Sequence, residues 1–179
     1  MNPCAKNYKL FSLAYNAYHE NIPIMNNNII KTEDDLTSLI SNAPITVITT
    51  YRGNWCPFCR KYLSDFSKAY AQASQENTQI LGVSIDEQKT NDALKAKLGL
   101  NFELYTDENR LFKSLYNVVT SDHLIAPVKK QHLQPAVFIF QNGVKVFEWI
   151  QTPKLKNMGG AASRLPVKEV FEKVAALQN

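Results

Sequence analysis

Along the chain the spacing of apolar positions changes period repeatedly, and each change marks an element. Pro44 precedes Ile45-Thr46-Val47-Ile48-Thr49-Thr50-Tyr51, a β-branched run without charge, as a strand buried on both faces of a sheet requires. From Cys59 the set Cys59, Leu63, Phe66, Tyr70 and Ala73 recurs at helical spacing, which predicts a helix directly after that strand. Gln79-Ile80-Leu81-Gly82-Val83-Ser84-Ile85 reads as a second buried strand, and Ala93, Leu94 and Leu98 with Gly99 beyond them as a helix and its C-cap. A short strand at Phe102–Tyr105 is followed by Asp107 as the cap of a helix carrying Leu111, Phe112, Leu115 and Tyr116. Two further strands, from Ala136 to Phe140 and from Val144 to Trp149, flank the hairpin dipeptide Asn142-Gly143. Pro166 opens a last amphipathic helix with Val167, Val170, Phe171, Val174 and Leu177 on its apolar face. Upstream, Thr32 with Asp35 three residues on caps a helix carrying Leu36, Leu39 and Ile40. Lys6 and Lys9 precede an apolar stretch at 10–15 that Asn16 breaks, a better amphipathic helix than a signal peptide.

This order, βαβα, a further strand and helix, then ββα, predicts a mixed sheet covered on both faces. Without repeats, Gly/Ser linkers or a shift in composition, 1–179 reads as one domain with 1–43 as an N-terminal helical extension. The 45% hydrophobic and 20% charged residues belong to ordinary globular chains. No run approaches the ~18 apolar residues of a membrane span, so no membrane partner is expected. The net charge of +4 comes from the last third of the chain. Lys129, Lys130, Lys154, Lys156 and Arg164 lack the interleaved aromatics of a nucleic-acid platform and read as a solvated face.

Three cysteines, Cys4, Cys56 and Cys59, are too few for a disulfide scaffold, and the close pair points to redox or metal chemistry in a cytoplasmic chain. In Trp55-Cys56-Pro57-Phe58-Cys59 the pair sits at the first turn of a helix, where backbone N–H groups and the helix dipole favour a thiolate on the first cysteine. Cys56 is therefore the expected nucleophile, and Cys59, one turn inward, the thiol that resolves what forms on Cys56. Pro57 suits the first helical position, and Arg52 and Arg60 are near enough in sequence to add positive potential. A zinc site needs a second ligand pair, and His19, His123, His132 and Cys4 do not have the spacing, so no metal is expected. The three histidines read as surface or capping residues. Without a nucleotide or flavin motif no cofactor is expected, and electrons must come from an external thiol or dithiol.

The segments Tyr51-Arg52-Gly53-Asn54-Trp55-Cys56-Pro57-Phe58-Cys59-Arg60, Ile80-Leu81-Gly82-Val83-Ser84-Ile85-Asp86 and Leu104-Tyr105-Thr106-Asp107 resemble the peroxiredoxin-like branch of the AhpC/TSA (alkyl hydroperoxide reductase, thiol-specific antioxidant) redoxins. The resemblance spans about residues 30–150 and implies a thioredoxin-like three-layer α/β/α fold, with a mixed central sheet and a peroxiredoxin-type βα insertion. It also implies a cis-proline facing the cysteine pair at the start of the strand entering the hairpin, which makes Pro135, in Gln134-Pro135-Ala136, the candidate ahead of Pro127. Trp55 is placed on the rim beside the thiols, and Arg52, Pro57, Phe58 and Gln134 complete the expected substrate-binding set. Two positions depart from the peroxiredoxin pattern: Gly53 stands where a Thr or Ser precedes the peroxide-reacting cysteine, and Thr49 where a Pro does. Thr50 stands where thioredoxins carry a buried Asp. The missing hydroxyl at 53 ranks a thiol-disulfide oxidoreductase first and a peroxide reductase, with Cys56 passing through a sulfenic acid, second. A redox-switched binding module without turnover ranks third. The expected partners are a disulfide- or peroxide-containing substrate and a thiol reductant, protein or small molecule.

Overall fold

The computed structural model describes residues 27–73, 77–122 and 131–178. Cys4, the helix expected at 10–15, His19, His123, Pro127, Lys129 and Lys130 lie outside the described residues. The elements in chain order are β1 Ile29–Ile30, α1 Glu33–Ser41, β2 Ile45–Thr50, α2 Pro57–Gln72, β3 Thr78–Ser84, α3 Gln88–Leu98, β4 Glu103–Asp107, α4 Leu111–Tyr116, β5 Thr120–Asp122, β6 Gln131–Leu133, β7 Ala136–Gln141, β8 Val144–Ile150 and α5 Val167–Gln178. A single 3-10 turn, Leu155–Asn157, falls between β8 and α5.

Six strands form one mixed sheet in the order β1-β4-β3-β2-β7-β8. β2 lies at its centre, parallel to β3 and antiparallel to β7. Its uncharged sequence follows from that place, because all six of its residues are buried and a charge on either side would lose its water. The side chains alternate: Ile45 and Val47 of β2 with Val137 and Ile139 of β7 enter one core, where Tyr62, Leu63 and Phe66 of α2 and Val170 and Val174 of α5 cover them. Ile48 with Ala136, Phe138 and Phe140 enter the opposite core beneath Leu36, Leu39 and Ile40 of α1 and Phe112 of α4. Helices on both faces of a mixed sheet make the three-layer α/β/α arrangement that the element order predicts and that the family resemblance implies is thioredoxin-like.

The local signals act where they occur. Thr32 and Asp35 form a full capping box, the Thr32 hydroxyl accepting from the Asp35 N–H and the Asp35 carboxylate accepting from the Thr32 N–H, a cap worth about 1 kcal/mol. Asp107 caps α4 from a distance: as the last residue of β4 it accepts from the N–H groups of Leu111 (2.7 Å) and Phe112 (3.0 Å).

Three features carry no sequence signal. Within the stretch 1–43, Ile29–Ile30 is an edge strand parallel to β4, ahead of α1. β5 and β6 pair as a separate two-stranded sheet. Residues 151–165 fold into a strap built from side-chain amides. Gln151 Nε2 donates to the carbonyls of Ala162 (2.9 Å) and Ser163 (2.7 Å). Asn157 Oδ1 accepts from the N–H groups of Lys154 (2.7 Å) and Gly160 (2.8 Å), while its Nδ2 donates to the Thr152 carbonyl (2.8 Å). Among the described residues no helix is long and apolar enough to cross a membrane.

Candidate active site

β2 delivers the chain into the cysteine loop. Strand pairing continues one residue past it, the Tyr51 N–H donating to the Val83 carbonyl (2.9 Å). The buried Tyr51 hydroxyl donates to Asn91 Oδ1 (2.7 Å), which also accepts from the Ser84 hydroxyl. Asn91 Nδ2 donates in turn to the Asp86 and Tyr105 carbonyls and to Thr106 Oγ1. One fully buried amide therefore ties the start of the loop to the ends of β3 and β4.

The loop is next fixed at Asn54, whose N–H donates to Asp86 Oδ2 (2.8 Å), and the Cys56 N–H closes a turn onto the Gly53 carbonyl (3.2 Å). Gly53 has φ +143°, and a Cβ there would lie 2.7 Å from Trp55 Nε1 and 2.9 Å from Asp86 Oδ2. Only glycine fits this backbone and this space, so the absence of a Thr or Ser hydroxyl at 53 follows from the shape of the loop.

Cys56 is the N-cap residue of α2, with Pro57 in the first turn, and its Sγ accepts from the Cys59 N–H (3.4 Å). Cys59 Sγ accepts from the Arg52 backbone N–H and from Arg164 Nη2, each at 3.5 Å. Both thiols are free and 1% exposed. The Cys56 thiol is lowered to about 6, first because the Cys59 thiol hydrogen-bonds to it and then through the Cys59 N–H and the Arg52 and Arg164 charges, against the effect of burial. Cys59 is pushed well above its ordinary value, by burial first and by donating to Cys56 second. Both shifts favour a thiolate on Cys56 over one on Cys59, the direction expected for a cysteine at a helix N-terminus.

Around the pair, Arg52 Nε donates to His132 Nε2 (3.0 Å) and the Arg52 guanidinium stands 4.8 Å from the Trp55 ring centroid. Trp55 in turn meets the buried His132 edge-on at 5.3 Å. Phe58, 41% exposed, lines a groove of about 440 Å³ with Tyr62, Arg164, Leu165, Pro166 and Val167. Arg60 does not join the charges acting on Cys56 and lines a different groove with Asn54, Lys89 and Lys97. Pro135 is buried next to Ala136, which pairs with Thr50, so it sits across from the start of the cysteine loop. Gln134, expected among the substrate-binding residues, is fully buried, and its Nε2 donates to Ser121 Oγ (2.8 Å) and to the Gly159 carbonyl (3.0 Å). It faces the strap.

The fold agrees with known proteins. The AhpC/TSA family profile matches residues 22–148. The chain belongs to the AhpC/TSA family. This AhpC/TSA chain is accordingly a thiol-dependent redox enzyme. Among solved structures it is similar to a mutant of PrxQ from Xylella fastidiosa, with a TM-score of 0.61, 22% identity, and 83% of this chain and 84% of that chain covered. It is similar to a peroxiredoxin-like protein from Aquifex aeolicus, at 0.60, 20%, and 74% and 71%. It is also similar to the reduced 2-Cys peroxiredoxin of Plasmodium vivax, at 0.58, 20%, and 80% and 82%. No curated protein matches the chain.

Two expectations need correction. His132, expected on the surface, is buried beside Trp55 and Arg52, because β6 carries it inward. Arg164, expected on a solvated basic face, reaches Cys59. Neither has a motif near the cysteines. Of the residues that shape the site, only Asp86, at the end of a buried strand, has a place where such residues collect. Among the described residues no group of three or more His, Cys, Asp or Glu is placed to hold a metal ion.

Proposed function

We propose that this AhpC/TSA enzyme is a dithiol peroxide reductase, with Cys56 as the peroxide-reacting thiolate and Cys59 as the resolving thiol, ahead of the disulfide oxidoreductase that the sequence ranks first. The observation that carries the proposal is the enclosure of the pair: each cysteine is 1% exposed, with Arg52 and Arg164 against it. A sulfur this enclosed meets a reagent only through local opening of the loop, and a small peroxide needs less opening than a disulfide held in a folded protein. The guanidinium groups offer N–H donors to the peroxide oxygens in place of the hydroxyl that Gly53 excludes.

In the first step the Cys56 thiolate attacks one peroxide oxygen and the O–O bond breaks. The leaving oxygen departs with a proton as water or an alcohol, and Cys56 becomes a sulfenic acid. Cys59 then attacks the Cys56 sulfur, the S–O bond breaks, and water leaves with the proton that Cys59 gave up. An external thiol reductant returns the disulfide to the dithiol. Arg52 and Trp55 line the approach, Pro135 supports the loop from just before β7, and Pro57 and Phe58 form the outer edge.

Stopped-flow Trp fluorescence of the reduced protein with hydrogen peroxide and with an alkyl hydroperoxide tests this. The expected rate lies orders of magnitude above that of a free thiol of similar pKa. A rate equal to that of the free thiol, together with mixed disulfides to proteins trapped by Cys59→Ser, would return the disulfide oxidoreductase to first place.

A further inference from the structure

Cys59 has to give up its proton in a place that opposes the charge: it is buried in the core with Tyr51, Tyr62, Leu63 and Leu165. A thiolate there needs donors, and its Sγ has two, the Arg52 backbone N–H and Arg164 Nη2, each at 3.5 Å. The first is part of the cysteine loop. The second comes from outside residues 22–148, the part of the chain that the family profile matches.

Arg164 is held for this purpose by the strap. Its Nη1 donates to the carbonyls of Gly160 (3.0 Å) and Ser163 (3.1 Å), which leaves Nη2 aimed at the sulfur. Its guanidinium stands 6.0 Å from the Tyr62 ring centroid, and the Tyr62 hydroxyl donates to the carbonyl of the next residue, Leu165 (2.7 Å). The strap is itself anchored at Gln151, Asn157 and Gln134. Gly160 packs so closely on Gln134 that a Cβ there would lie 1.9 Å from Oε1. Such a mounting has no use if Arg164 serves only as a solvated surface charge.

We propose that Arg164 is a catalytic residue of the second half-reaction: its guanidinium stabilises the Cys59 thiolate as that sulfur attacks Cys56, and again when it leaves during re-reduction, with the strap 151–165 as the device that positions it. In the attack the Cys59–Cys56 bond forms, the bond from Cys56 to its leaving group breaks, and the leaving group takes the electron pair. In re-reduction a thiolate of the external reductant attacks Cys56 and Cys59 departs with the pair, so the same charge helps in both directions. The titratable and charged groups facing Cys59 are Cys56, Tyr51, Arg52 and Arg164. The two arginines stabilise negative charge near the pair, while Cys56 and Tyr51 oppose it when ionised.

The role of Arg164 rests on the assignment of Cys56 as nucleophile and Cys59 as resolving thiol, and a disulfide probe tests the two separately. With 5,5′-dithiobis(2-nitrobenzoate) the reduced Cys4→Ser protein, which serves as the wild-type reference because Cys4 would release a thionitrobenzoate of its own, releases one thionitrobenzoate when Cys56 attacks the reagent and a second when Cys59 displaces the first adduct. Arg164→Met, which keeps the stem against Tyr62, is expected to slow the second release about tenfold at neutral pH and to move its pH midpoint upward, and to slow the first release by a smaller factor, because Arg164 is the weakest of the charges acting on Cys56. Arg164→Lys should restore part of the loss, because the charge returns without the fork. A second release equal to wild type in Arg164→Met, or equal effects of Met and Lys, would overturn the role of Arg164. Absence of a second release in the wild-type protein would overturn the assignment of Cys59 instead. Should Arg164→Met fail to fold, Gln151→Leu, which loosens the strap without touching the sulfurs, is expected to slow the second release selectively, and an unchanged second release would count against the proposal.

Discussion

The cysteine loop, 52–60, and the strap, 151–165, meet at Cys59 and are built by opposite means. In the loop, backbone does the positioning: a strand end, a glycine turn and a helix N-terminus place both sulfurs, and the N–H groups of Cys59 and Arg52 point at them. In the strap, backbone turns bond the carbonyls of Lys154, Leu155, Asn157 and Met158, while side-chain amides from Gln134, Gln151 and Asn157 take the carbonyls of Gly159, Ala162, Ser163 and Thr152, and one arginine reaches the site from it. Backbone positioning tolerates exchange of most side chains but not of glycine. Side-chain positioning fails one amide at a time.

The largest effect that separates the two regions is expected at Gly53. Restoring a hydroxyl with Gly53→Thr forces a side chain onto a backbone at φ +143° and against Trp55 and Asp86, at about 2–4 kcal/mol. Thermal unfolding should show a clearly lowered Tm, and peroxide reactivity should fall rather than rise. A stable Gly53→Thr protein with faster peroxide turnover would break the account of the loop.

In the strap the corresponding change is Asn157→Ala, which removes three hydrogen bonds and is expected to cost about 2–3 kcal/mol. The comparison predicts a selective outcome, because Cys56 alkylation should keep its rate while disulfide closure slows. Equal slowing of both would mean that strap and loop are one mechanical unit.

A third effect concerns protons. Since the thiolate is the reactive form, alkylation of Cys56 should fall as pH drops through about 6 and be flat above it. The first cause of that low value is the Cys59 thiol, so Cys59→Ala should move the midpoint upward, and Cys59→Ser, which keeps a donor, should move it less. Iodoacetamide rates against pH measure both shifts, and a midpoint unmoved in Cys59→Ala would assign the low value to the helix terminus and the arginines.

The smallest effect serves as a control far from both regions. Thr32→Ala removes the cap of α1 and is expected to lower stability by about 1 kcal/mol in denaturant unfolding, with no change in either phase of thiol chemistry.

Where periodicity and capping speak, the elements lie close to their predicted places. β2 ends at Thr50, one residue short of its uncharged run, although the Tyr51 N–H still pairs with the Val83 carbonyl before the chain enters the loop. The hairpin at Asn142-Gly143 and the C-cap at Gly99 stand as predicted. The two-residue β1 and the pair β5 and β6 are too short to show a period of two, and they exist because a neighbouring strand offers unpaired backbone groups. Gln134 had one expected direction, toward substrate, and took another, because the carbonyl of Gly159 and the hydroxyl of Ser121 needed a donor.

The sequence by itself determined the layered α/β architecture, the place of Cys56 at a helix N-terminus and the spacing that puts Cys59 one turn inward, since each follows from interactions within a few residues: strand burial, helical periodicity and a backbone N–H aimed at a sulfur. Only the tertiary structure decided which charges surround the thiols. His132 comes to Arg52 across 80 residues of chain and Arg164 to Cys59 across 105. Such pairs are selected by how sheet edges and side-chain amides close the fold, and a guanidinium that reaches a sulfur over that separation leaves no pattern around either partner. The cysteines were therefore legible as a pair, and the cation beside the inner one was not.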